Sequence, residues 1–230
     1  MAITITDTAL LRLLQLSSAS LPVGGYAFSQ GLEYAIEQQW VCDQEAVGEW
    51  LHIVMHESVA KVDMPLLQRL TAAVEQEDQY AFNYWNHYVI ACRETTELAL
   101  TETAMGEALA RLLRQLKVPL LPLSVENNIG RQYSFIAAFA SASVHWKITP
   151  SAIAVGYLWS WLENQIAAAT KLVPLGQSAA QQLLITLTND LTPVIHHASA
   201  IEDDAIGSSL PGMSMASSWH ETQYSRLFRS

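Results

Sequence analysis

Apolar residues recur at helical spacing along almost the whole chain, and no stretch alternates apolar and polar residues over strand length with β-branched enrichment. A sequence patterned in this way buries its apolar faces by packing helix on helix, so it predicts an all-α fold, a bundle of about eight to ten helices. The stripe is clearest in Ile153, Tyr157, Leu158, Trp161, Leu162, Gln165 and Ile166, where one polar residue interrupts it. Thr149–Pro150 opens that helix as cap and first-turn proline. Comparable start signals stand at Asp7, Ser29 and Asp43, and at Asp63 with Pro65 two residues behind it. From Tyr80 to Lys117 there is no proline and one glycine, Gly106, which predicts one or two long helices ended by the Pro119–Pro122 segment.

Asn127–Asn128–Ile129–Gly130 is turn chemistry. Gln132–Trp146 then reads as a helix rich in Ala and Ser with a thin polar face, which belongs at the centre of the bundle or under another subunit. Half of the 230 residues are apolar, enough for a sizeable core over residues 1–198. Beyond His197 the composition shifts to Glu202–Asp203–Asp204 and a run of Gly, Ser and Pro, so residues 199–230 are expected to form a flexible, low-complexity tail. Its last twelve residues, Trp219–Ser230, regain aromatic and basic character and read as a partner-docking element that folds on contact.

Acidic side chains outnumber basic ones 22 to 12, a net charge of −10 that repels phosphate backbones, so no nucleic-acid partner is expected. Cys42 and Cys92 have neither disulfide-framework nor zinc-knuckle spacing, which fits a reducing cytoplasm. Met1–Asp7 lacks the basic and apolar regions of an export signal, and the longest uncharged stretches fall short of a membrane span. Neither export nor membrane insertion is expected.

Catalytic signatures are missing. There is no G-x-x-x-x-G-K-[ST] phosphate cradle and no G-x-S-x-G elbow, and Gly24–Gly25 lacks the third glycine of a dinucleotide fingerprint. Glu49, His52 and His56 share a helix face and allow an alternative reading as an all-α metal-dependent enzyme, but the pattern matches neither a di-iron bundle nor a zinc protease. His196–His197 allows either a borderline-metal ligand pair or, the favoured reading, the end of a helix, where imidazolium favours the negative end of the dipole. No metal, cofactor or catalytic residue is therefore assigned.

The most unusual segment is Ser20–Glu33, with Pro22 stiffening a loop, Gly24–Gly25 permitting positive φ, and Ser29 placed to cap a helix whose first turn holds Glu33. Its LPVGGYAFSQGLE core resembles the N-terminal signature of the urease accessory protein F family. Cys92–Arg93–Glu94–Thr95, Lys171–Gln177 (KLVPLGQ) and the closing HETQYSRLFRS resemble three further blocks of that family, in the same order. The resemblance implies a non-enzymatic, all-α, dimeric chaperone for nickel insertion into urease. Such a protein bridges the D (or H) accessory protein and the partner GTPase G, modulates that GTPase, and acts on the urease apoprotein. A helical adaptor of some other assembly is the remaining alternative. The family's arrangement further implies Tyr26, Glu33 and Lys171 near the dimer axis and GTPase face, and Tyr224, Arg226, Leu227, Phe228 and Arg229 at the D-protein face.

Overall fold

The computed structural model describes residues 4–124 and 132–229, so the turn expected at Asn127–Gly130 lies outside the described residues. The expected all-α architecture is present: the described residues form helices and no strand. In chain order these are α1 (Asp7–Leu16), α2 (Leu32–Glu37), α3 (Gln44–Val54), a π-helical stretch (Met55–Asp63), α4 (Met64–Glu75), α5 (Gln79–Ala91) and α6 (Thr96–Gln115). They are followed by α7 (Phe135–His145), α8 (Pro150–Leu172), α9 (Gln177–Thr188), α10 (Leu191–Ala198) and α11 (Pro211–His220), with single 3-10 turns at Gly25–Ala27 and Asp203–Ala205.

Helix α7 is the centre of the bundle. Residues 135–143 are all buried, and the helix packs against α4, α6, α5, α8 and α1. Its apolar character all round is thus satisfied within one chain, with Ile136, Phe139 and similar side chains each worth about 1.5–3 kcal/mol on burial. The polar N-terminus of α7 is also provided for. The Ser134 hydroxyl accepts from Ala137 N–H, Glu102 accepts from Ile136 N–H at 3.1 Å, Glu107 accepts from Tyr133 N–H, and Asn86 accepts from Ser134 N–H.

Start signals hold where the cap is local. Asp43 accepts from Ala46 N–H at 2.9 Å, and Thr149–Pro150 opens α8, although the Thr149 hydroxyl makes no cap bond. The start expected at Asp63 is corrected: the chain runs helical without a break from Gln44 to Glu75, and Asp63 lies inside it with right-handed helical φ and ψ. The π-helical stretch changes register just ahead of Pro65, where the missing N–H and the proline ring would otherwise disturb the ladder. Freed from capping, the Asp63 carboxylate accepts from Arg93 and from the Tyr157 hydroxyl, each at 2.8 Å, in the bundle interior.

Residues 199–229, expected to be a flexible tail, lie against the bundle. Pro211–His220 forms α11, which packs on α2 and α6, and Met213, Ala216, Ser217, His220 and Phe228 are buried. Small residues here serve close approach. Gly31, with φ of +84°, would place a Cβ 3.0 Å from Ser217 N and 3.2 Å from Met213 O, so only glycine suits both its backbone and the neighbouring helix.

Candidate partner-binding surface

Three sequence blocks far apart in the chain meet around the carboxylates of Glu33, Glu94 and Glu97, and the Lys171–Gln177 block adjoins them through Lys171. Glu33, in the first turn of α2, is 7% exposed. Its carboxylate accepts from Leu227 N–H at 2.6 Å and Phe228 N–H at 2.9 Å, and lies 3.0 Å from His220 Nε2. Glu97, in the first turn of α6, lies 2.8 Å from His220 Nδ1 and accepts from the Arg226 guanidinium at 2.9 Å. His220, itself fully buried, is therefore clasped between two carboxylates, with one ring nitrogen facing each. Burial pushes the Glu97 carboxyl up, against the pull of the His220 hydrogen bond and the His220 and Arg226 charges.

The Cys92–Thr95 block secures the other end of the same segment. Burial alone would push the Glu94 carboxyl up, but hydrogen bonds from Ser214, Ser209 and the Leu210 N–H outweigh it and hold the group below its ordinary value. Thr95 caps α6 through Leu98 N–H, and its hydroxyl lies 2.7 Å from that of Ser217. Arg93 points inward, to Asp63 and to Glu102 at 2.7 Å.

On the outer side, the Lys171 ammonium stands over the rings of Tyr26 and Phe228, at 5.8 and 5.3 Å from their centroids. Arg229 N–H donates to Ala27 O at 2.8 Å, and its guanidinium faces Phe28. Tyr26, Lys171 and the terminal residues, expected on two separate faces, thus form one continuous site. Within it the roles divide by exposure. Tyr26 and Leu227 are each 63% exposed and Tyr224 is fully exposed, whereas Glu33 and Phe228 are buried and hold the segment in place. Tyr34, Trp40 and Trp219 form a triangle of rings with centroids 5.7–6.0 Å apart, and Tyr34 and Trp219 line a groove with Tyr224, Glu37, Gln38 and Gln223.

Sequence reasoning missed His220, Glu97 and Glu94. His220 sat in view as the first residue of the HETQYSRLFRS block, but its two partners lie 123 and 187 positions away.

The Glu49–His52–His56 face is rearranged. Glu49 is exposed and outside the group, and the third member is Asp190, the residue preceding α10. Asp190 Oδ2 lies 3.1 Å from His52 Nδ1 and 4.0 Å from His56 Nε2, with the two imidazole rings 4.3 Å apart. Burial, then the His52 charge, hold His56 below its ordinary value, against Asp190 and Glu57. His196 and His197 occupy the last turn of α10, as expected of helix-ending residues, and both are exposed.

Comparison with known proteins gives one family. The UreF family profile matches residues 41–188. A protein of Marinomonas sp. is 49% identical over 230 residues, covering 99% of this chain and 97% of its own. One from Alkalilimnicola ehrlichii is 46% identical over 219 residues, 95% of each chain. One from Hahella chejuensis is 45% identical over 222 residues, 96% of this chain and 98% of its own. Each of the three is named urease accessory protein UreF.

Proposed function

Since the chain belongs to the UreF family of urease accessory proteins, we propose that it acts in urease maturation as a non-enzymatic helical chaperone and adaptor. In this reading it bridges the D (or H) accessory protein and the GTPase G, modulates GTP turnover there, and so assists nickel insertion into the urease apoprotein in the cytoplasm. Among the described residues no helix is long and apolar enough to cross a membrane.

The observation that carries the reading is the composite surface of Tyr26, Lys171, Trp219, Tyr224 and Leu227. Exposed aromatic side chains beside cationic ones, on a segment fixed from beneath by buried carboxylates, are the kind of anchors that dominate interface energies. The docking element is preformed, so binding is spared the few kcal/mol that ordering a free tail would cost. Deleting the whole segment would strand Glu33 and Glu97, which makes point variants the cleaner test. The Tyr224→Ala, Leu227→Ala double variant is expected to keep its circular-dichroism melt, lose at least tenfold in affinity for the D accessory protein in a pull-down, and fail to restore urease activity to a deletion strain. Unchanged capture of the D protein by a folded double variant would remove this surface from the reading.

We place the protein in a twofold dimer as well. Since α7 is covered within its own chain, support comes from α1, where Leu10, Leu11 and Leu14 are exposed at helical spacing on one face. Light scattering over a dilution series is expected to give twice the chain mass, and Leu11→Glu with Leu14→Glu to give the chain mass. A wild type that stays monomeric at high concentration would refute the dimer.

A further inference from the structure

We propose that His52, His56 and Asp190 form a binding site for one divalent transition-metal ion of borderline softness, Zn²⁺ or a neighbour such as Co²⁺ or Ni²⁺. The three ligand atoms lie within 4.8 Å of one another. Two ligands on a tetrahedral ion, each about 2.0–2.1 Å from it, stand roughly 3.3 Å apart. The Asp190 separations of 3.1 and 4.0 Å bracket that figure, so small rotamer shifts close the set.

Two further observations point to a ligand rather than to a solvated ion pair. His56 Nε2 is buried and has no hydrogen-bond partner among the described residues, which leaves a ring nitrogen uncompensated beside a carboxylate. A metal ion would supply the missing interaction. The helix, moreover, runs in the wider π register from Met55 to Asp63, a stretch that begins between the two histidines, and π-register insertions in helices recur at functional sites. The rings end up 4.3 Å apart and tilted by 38°, beside a carboxylate on the residue just before α10, 138 positions from His52.

Imidazole and carboxylate donors suit Zn²⁺, Ni²⁺ and Co²⁺, whereas Ca²⁺ and Mg²⁺ prefer oxygen alone. Three protein ligands leave the fourth position to water or to an incoming group. His52 and Asp190 are partly exposed, so the ion exchanges with solvent, and when bound it pins α10 to the long α3–α4 helix. The site uses none of the residues of the proposed partner surface and stands or falls separately from it.

The test uses the full-length, untagged protein, freed of metal by chelator dialysis and titrated with Co²⁺, then with Zn²⁺ as competitor. One equivalent of Co²⁺ per chain is expected, with visible absorption of tetrahedral intensity that Zn²⁺ abolishes, and a Zn²⁺-dependent rise in melting temperature. His52→Ala and His56→Ala should each weaken binding at least tenfold, Asp190→Asn should weaken it too, and the double histidine variant should abolish both the absorption and the thermal shift. His196→Ala with His197→Ala should leave them intact. No uptake at micromolar Co²⁺ or Zn²⁺, or binding that survives in the folded double histidine variant, would overturn the proposal, as would a signal that follows His196 and His197.

Discussion

Replacing Gly106 with alanine is expected to cost about 3 kcal/mol or more of folding stability, the largest effect foreseen for any single methyl group in this chain. A Cβ at this position in α6 would collide with the Tyr133 carbonyl oxygen and come within 2.5 Å of the Ser134 carbonyl carbon and 2.7 Å of Phe135 N. These are backbone atoms at the start of α7, and they cannot rotate away as a side chain can. Relief requires α6 and α7 to separate, which would lengthen the Glu102 and Glu107 hydrogen bonds to the Ile136 and Tyr133 N–H groups. Thermal melts should show a drop of roughly 6–12 °C, from about 2–4 °C per kcal/mol for a domain of this size. Gly212→Ala, where the added Cβ meets nothing within 4 Å, serves as the control and is expected to be neutral or slightly stabilising. Equal melting of the two variants would mean that the α6–α7 approach is not held by the glycine.

Gly106 also shows where the sequence stops being legible. It stood out as the single glycine in a long helical pattern, yet the reason for it is a backbone segment 27 or more positions away, which no local pattern encodes. Helix existence and type were readable because α7 and α8 follow from periodicity, and Asp43 and Thr149 stand at helix starts whose consequences fall within one turn. Helix ends were harder. After α2, α4, α6 and α7 the chain turns left-handed at Gln39, Glu77, Lys117 and Lys147 instead of at glycine, each time closed by a bond from the next N–H to a carbonyl five residues back.

The packing of the C-terminal segment was not legible for a related physical reason. Composition measures the apolar surface a segment can bury, and the run from Gly207 to Ser218 has little. Its order comes instead from hydrogen bonds to carboxylates supplied by α2, by α6 and by the loop just before α6: Ser209 and Ser214 on Glu94, His220 on Glu33 and Glu97, and the Leu227 and Phe228 N–H groups on Glu33. The acidic excess that argued against nucleic acid is thus partly an internal scaffold. The blocks were recognisable as blocks, but their meeting at one site was not, because that meeting depends on how α2, α6, α8 and α11 pack.

Arg93→Met should be at least as damaging as Gly106→Ala, with an expected cost of about 3–5 kcal/mol, because it leaves two carboxylates in the bundle interior without their cation. Arg93 bonds Asp63 at 2.8 Å and Glu102 at 2.7 Å, and all three side chains are largely buried. A methionine fills much the same length, so the loss would be electrostatic more than steric. The cost should therefore depend on pH in a definite direction. Burial already holds the Glu102 carboxyl above its ordinary value of 4.5, against the pull of the Arg93 charge, and removing that charge raises it further. A carboxyl with a raised folded value contributes its stability fully below 4.5 and loses it as pH climbs through the folded value. The gap between wild type and variant should hence be narrow near pH 5 and wide near pH 8, as read from urea denaturation midpoints. Adding Asp63→Asn and Glu102→Gln to the variant should recover part of the loss at pH 8, since both amides can still accept from Tyr157 and Ile136 without a buried charge. The damage should also reach the partner surface. Thr95 and Glu97, which hold Ser217, His220 and Arg226, follow Arg93 within a few residues, so loss of the Arg93 anchor frees the start of α6 on which the terminal segment rests. A folded Arg93→Met protein with an unchanged, pH-independent midpoint would show that the cluster contributes no net stability, and that α6 is positioned by apolar packing alone.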